Sequence, residues 1–202
     1  MSTAPARRTR APRRAPEERR AAIAGAARAV ALSDGLGAVT LRSVAARAGV
    51  APALVAHYAD GGMDALVADA FARIVGHELA EVAALVSTED PRAALAAMIR
   101  TLASGERDEV TAVWVEAWAL GRRNEALAAA VRAQMDAWQE LVRGIVEAGV
   151  ARGDFRAADP AEAAWQVLAM IDGTGAQGLV RWGSTADRSD LLLRAVEGML
   201  GV

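Results

Sequence analysis

Apolar residues recur along this chain every three or four positions, in blocks cut by glycines and by Asp-Pro, Thr and Asn starts. That spacing is the period of a helix face rather than of a strand. Pro16, followed by Glu17 and Glu18, predicts a helix start, because proline suits the first turn and carboxylates suit its positive end. The helix runs to about Asp34, burying Ile23, Ala27, Val30 and Ala31, and Gly35 and Gly37 stop it. Thr40 caps a short helix from Leu41 to about Ala48, closed by Gly49. Pro52 opens a second short helix, to about Ala59, and Asp60-Gly61-Gly62 breaks the chain again.

From Met63 to Val86 the positions Leu66, Val67, Ala70, Phe71, Ile74, Val75, Leu79, Val82 and Leu85 predict one long helix. Asp90-Pro91 starts the next, ending near Ser104-Gly105, and another spans about Glu106 to Leu120. Asn124 caps a long helix through Leu127, Val131, Met135, Trp138, Leu141, Ile145 and Val146. Asp159-Pro160 starts a helix to about Leu179, and the last runs from about Asp187 to Leu200. The expected fold is all-α, with about nine helices and no strand.

Composition agrees with that reading and removes several chemistries. The 202 residues include 51 alanines, the best helix former, and Phe plus Tyr total three. Cysteine is absent, which excludes a disulfide scaffold, a thiol nucleophile and thiolate-held metal. His57 and His77 are the two histidines, too few and too far apart in the chain for a histidine-rich metal centre. No enzyme, metal or cofactor is expected. No apolar run is long enough to span a membrane, and MSTAPARRTR lacks the apolar core of a secretory signal, so a cytoplasmic location is expected.

Charge divides the chain. The formal net charge of −2 conceals +6 over residues 1–60 and −8 over residues 61–202. A basic segment on an acidic body suggests a polyanion-binding module, although an arginine-rich solubilising tail would read the same way. Residues 1–15 form an Ala/Pro/Arg arm in which Arg7, Arg8, Arg10, Arg13 and Arg14 are positioned to lie along phosphates or in a minor groove.

Two short helices joined by a Gly-containing turn, after a longer helix, form a helix-turn-helix arrangement. Thr40, Arg42 and Ser43 lie at the amino end of the first, where hydroxyls, charge and free N–H groups suit phosphate. Val44, Ala45 and Val50 supply the small apolar contacts between the pair. The second helix would present Pro52, Ala53, Ala56 and His57 to the major groove of double-stranded DNA, with Tyr58 near the backbone. A generic αα-corner would show the same periodicity.

The stretch IAGAARAVALSDGLGAVTLRSVAARAGVAPALVAHYADGGMDALV, within residues 17–71, resembles the DNA-binding domain of TetR-family transcriptional regulators. Ala26-Ala27 match the family's first-helix pair and Gly35 the turn after it. Thr40 and the Val44-Ala45…Ala48-Gly49-Val50 run match the first reading helix and its turn, and His57-Tyr58 looks like the H-Y-F ending of the BetI-like branch. The resemblance implies phosphate or near-phosphate roles for Thr40, Pro52, His57 and Tyr58. Ala51, Ala53, Ala59 and Met63 depart from the usual Ser, Gly, aromatic and Lys.

The resemblance divides the chain into the arm at 1–15, a DNA-binding domain at 16–71 and a ligand-binding and dimerisation domain at 72–202. In the body, Trp114, Trp118, ARGDFRAADPAEAA and Ala169-Met170-Ile171-Asp172-Gly173 look like the BetI-type regulatory domain. The resemblance implies a homodimer through the last two helices, with Leu168, Gly175, Ala176, Leu179, Leu192, Val196 and Met199 at the interface. Trp114, Trp118, Met135, Trp138, Trp165 and Asp172 are candidates for an effector pocket. An aromatic cage for a cation is one account of the tryptophans. Plain core packing is the simpler one. Asp172 lies on the buried stripe, where an unpaired carboxylate costs several kcal/mol, so it binds a ligand or pairs with an arginine across the dimer. The expected function is a ligand-released homodimeric repressor with an unknown small-molecule effector. The alternative is a helical small-molecule carrier that has lost DNA binding.

Overall fold

The structure, a computed structural model, describes residues 15–183 and 188–202. The arm arginines Arg7, Arg8, Arg10, Arg13 and Arg14 lie outside the described residues. Among those described there are nine α-helices and no strand, so the all-α expectation holds. They are α1 (Pro16–Asp34), α2 (Leu41–Ala48), α3 (Pro52–Tyr58), α4 (Gly62–Leu85), α5 (Pro91–Ala103), α6 (Asp108–Gly121), α7 (Glu125–Arg152), α8 (Pro160–Leu179) and α9 (Arg188–Leu200). A short 3₁₀ turn at Leu36–Ala38, not expected from the pattern, buries Leu36 beneath α1.

The polar starts work as capping groups. Asp90 accepts the N–H groups of Arg92 and Ala93 at 3.0 and 3.3 Å, and Asp159 those of Ala161 and Glu162 at 2.9 and 3.1 Å. Asn124 accepts the Leu127 N–H at 2.9 Å. Each cap is worth about 1 kcal/mol, and proline at the first turn of α5 and α8 needs no N–H partner there.

Helices α1, α2 and α3 form a small unit, with α1 on α2 and α4 and α2 on α3. The body packs α4 along α7, α7 against α8, α6 against both α7 and α8, and α9 against α5 and α8. One apolar core runs through both, from Ile23, Val44 and Val55 through Phe71 to Val146 and Leu200. The domain boundary expected between residues 71 and 72 falls inside α4, so head and body share a helix.

Two expectations are corrected by burial. Leu85, placed on the apolar stripe of α4, is half exposed, whereas Glu78 on that stripe is 5% exposed. Leu192 and Val196, expected at a dimer interface, are buried inside their own protomer because α9 packs on α5 and α8. Pairing would hide little more of them. The exposed apolar residues near the α8–α9 connection are instead Val180, Trp182 and Leu191. Ala176, Leu179 and Met199 are half buried.

Candidate functional site

Helix α2 is capped reciprocally. Thr40 Oγ1 accepts the Ser43 N–H at 3.2 Å, and Ser43 Oγ accepts the Thr40 N–H at 2.9 Å. Ser43 also donates its hydroxyl proton to the Ala38 carbonyl at 2.6 Å, which commits that group to the fold. Thr40 and Arg42 remain exposed at the amino end. Gly49 closes α2 in the left-handed region at φ 66°, with the Val50 N–H returning to the Ala45 carbonyl at 3.0 Å. This turn sets the direction in which α3 departs. Val44, Ala45 and Val55 are buried between the two helices and hold that angle.

Helix α3 therefore turns Pro52, Ala53, Ala56 and His57 to solvent, as its sequence suggested. Tyr58 is half buried, its ring edge-on to His57 at 5.0 Å. Arg20, which the motif did not single out, lies over the Tyr58 ring at 5.6 Å, and its Nε is 3.3 Å from Asp60. Arg47, in the last turn of α2, donates to Ser33 Oγ at 2.8 Å. A capped helix end beside a projecting short helix is the geometry that lays one helix in a major groove with its partner against the phosphates.

In the body, a cavity of about 470 Å³ opens between α4, α6, α7 and α8, with Leu102 of α5 also in its lining. All six candidate pocket residues, Trp114, Trp118, Met135, Trp138, Trp165 and Asp172, line it. Leu168 and Gly175, expected at the dimer face, line it too. Helix α6 contributes Thr111, Trp114, Val115 and Trp118, and α8 contributes Trp165, Leu168, Ala169, Asp172 and Gly175. Those spacings are one helical face on each wall. At Gly175 a Cβ would sit 3.1 Å from Thr111 Cγ2, so α6 and α8 meet there and close one end. Trp165 and Met135 are exposed and mark the mouth.

Two carboxyls reach the closed end. Burial pushes Glu78 up to about 7, against the opposing pull of Arg107 and a hydrogen bond from Trp114. Arg107 Nη1 is 3.8 Å from Glu78 Oε1 and 3.0 Å from Glu81 Oε2, so its attraction is shared. Burial pushes Asp172 up to about 6, and among the described residues no hydrogen bond or ion pair reaches it. An arginine partner for Asp172 is thus absent from its own protomer's described residues. The indole walls are linked: Trp114 lies 5.8 Å from Trp118 and edge-on to the buried Phe71 at 5.1 Å. Trp138 is buried with its indole N–H unpartnered.

The same helix α6 touches the head. Between Trp114 and Trp118 it carries Glu116 on another face, whose carboxylate accepts the Gly37 N–H at 3.3 Å. Helix α6 also packs on α1 and on the 3₁₀ turn. His77, on α4, is exposed and 3.3 Å from Glu81.

Glu78 escaped the sequence reading although its signal was present. It follows Ile74 by four and Val75 by three, the stripe position that singled out Asp172 on α8. Arg20 carried no comparable signal, since its contact with Tyr58 joins residues far apart in the chain.

A helix-turn-helix head joined through a shared helix to a cavity-bearing helical body defines a DNA-binding transcriptional regulator. Residues 91–201 match the family model of the BetI-type transcriptional repressor C-terminal domain, and the chain belongs to that family. Among solved structures, one from Rhodococcus sp. described as a TetR-family transcriptional regulator is 24% identical with a TM-score of 0.77, covering 91% of this chain and 99% of that one. A transcriptional regulator from Saccharomonospora viridis in complex with choline is 23% identical with a TM-score of 0.78, covering 90% of this chain and 96% of that one. A third, from Pseudomonas aeruginosa PAO1, is 23% identical with a TM-score of 0.77, covering 94% of this chain and 93% of that one. A comparison with curated proteins finds no match. Among the described residues no helix is long and apolar enough to cross a membrane.

Proposed function

We propose that the chain is a homodimeric repressor that leaves its operator when an organic cation enters the cavity of the body. The observation that carries this is the cavity itself: four indoles along its walls and two carboxyls at its closed end. Indole faces attract cations, and an enclosed carboxylate gains most from a cationic partner. The structural neighbour that holds choline supports the same ligand charge. At 470 Å³ the space is in the range that encloses a drug-sized molecule, roughly 300–1,000 Å³.

On the DNA side, Thr40, Arg42, His57 and Tyr58 serve as phosphate contacts, and Pro52, Ala53 and Ala56 face base edges. Arg7, Arg8, Arg10, Arg13 and Arg14 add phosphate or minor-groove contacts from the arm, and supply most of the +6 charge of residues 1–60. Two copies pair through the ends of α8 and α9, where Val180, Trp182 and Leu191 expose apolar surface beside Ala176 and Leu179. The ligand acts by binding one spacing of the two heads better than the other. No catalytic step is assigned.

The test is a gel-shift with the duplex upstream of the chain's own gene, repeated with a hydrophobic ammonium compound. A retarded complex that the compound dissolves is the expected result. Retardation that the compound leaves intact would remove the cation reading. Absence of any sequence-specific shift, with the compound still bound, would establish the carrier alternative that Ala51, Ala53 and Ala59 raise.

A further inference from the structure

The cavity is polarised along its length. Helix α8 sets Trp165 and Asp172 seven residues apart, about 10 Å along its axis, with Trp165 at the mouth and Asp172 toward the closed end. Thr111 to Trp118 covers the same span on α6. Gly175 and Thr111 shut the far end, and Glu78 enters there from α4, near enough for the charge of Asp172 to act on it.

The two carboxyls are short of donors among the described residues. Asp172 receives no hydrogen bond among the described residues, and Arg107 is divided between Glu78 and Glu81. A quaternary ammonium carries its charge under methyl groups and donates nothing, which leaves the carboxylate lone pairs unfilled. A protonated amine has N–H groups that reach carboxylate oxygens at about 2.7–2.9 Å.

Resting on the reading of this cavity as the effector site, we propose that its ligand is a primary or secondary amine with an aromatic or long apolar body. The ammonium N–H groups donate to Asp172 and Glu78 at the closed end, and the body lies between Trp114, Trp118 and Trp165. A tetraalkylammonium head of the choline kind has no N–H group to offer those carboxyls.

Isothermal titration of the full-length dimer with three probes of one shape tests this: phenylbutylamine, its N-trimethylated analogue, and phenylbutanol. The amine is expected to bind at least about tenfold more tightly than either of the others. Asp172→Asn and Glu78→Gln should each abolish that preference for the amine while weakening phenylbutanol little, with far-ultraviolet circular dichroism checking the fold of each variant. The ranking on the wild-type protein stands independently of the variants. Equal or tighter binding of the trimethylated probe would overturn the amine assignment and leave the cation reading intact. Equal binding of phenylbutanol would overturn both. Failure of all three to bind would remove the effector site itself.

Discussion

In the head the exposed face of α3 consists of methyl groups, a proline ring and one imidazole, while in the body two acids are turned inward onto a cavity. The head is held by reciprocal caps and a glycine turn, so its geometry is set locally, within residues 40–50. The body's cavity is set by five helices that meet only in the tertiary fold. The first region spends the polar groups of its α2 end on its own caps. The second keeps at its floor a carboxyl without a partner, which is what a binding site retains at the expense of stability.

The sharpest way to break this contrast is to ask whether the two regions fold separately. Phe71 lies on the shared helix α4, wholly buried and against Trp114. Phe71→Ala should cost about 3–5 kcal/mol and lower both regions in a single transition. Two well-separated melting steps in calorimetry would show that the head stands alone.

The next effect is confined to the body. Asp172 is held up to about 6 and Glu78 to about 7 by burial, both above their unfolded values. Between about pH 4 and 7 the folded chain therefore binds more protons than the unfolded one, and stability falls as pH rises through that window. The charges around the pair are Arg107, Glu81, Arg132 and Asp136. Asp172→Asn should raise stability at pH 7.5 by on the order of 1–3 kcal/mol, some degrees in Tm, and the gain should shrink by pH 4. A Tm difference independent of pH would contradict the burial account.

A smaller effect tests the head. Thr40→Ala removes the cap on the Ser43 N–H and should cost about 1 kcal/mol, with weaker DNA binding on specific and random duplexes alike. Loss on the operator alone would make Thr40 a base contact. The smallest change lies at the junction. Glu116→Ala deletes the contact with the Gly37 N–H and should leave the calorimetric affinity for the ligand unchanged. It should reduce ligand-driven release from DNA by about threefold, a coupling change under 1 kcal/mol. Unaltered release would place the link elsewhere on α6.

How much of each region the sequence disclosed follows from the same difference. Thr40, Gly49 and Pro52 act on neighbours a few residues away, so their caps and turns were legible from spacing alone. Trp114, Trp118, Trp138 and Asp172 were legible as positions on inward-facing stripes, but periodicity does not separate a packed core from a wall around empty space. Glu78 was hidden because a glutamate on a stripe of leucine and valine reads as an interruption unless the stripe is weighed position by position. Leu192 and Val196 were assigned outward because an apolar face does not state which neighbour covers it. Here α5 covers it, a contact across about a hundred residues that no local pattern encodes.

The shared helix has a mechanical consequence. With 24 residues, α4 is a rod about 36 Å long, rooted in the cavity wall through Glu78 and in the head through Leu66. A tilt of about 5° about one end sweeps the other through about 3 Å. Two such rods in a symmetric pair would change the separation of the heads by up to about 6 Å, against a groove repeat of roughly 34–36 Å. A lever of that length needs only a displacement of ångström size at the cavity to take both heads out of step with the duplex.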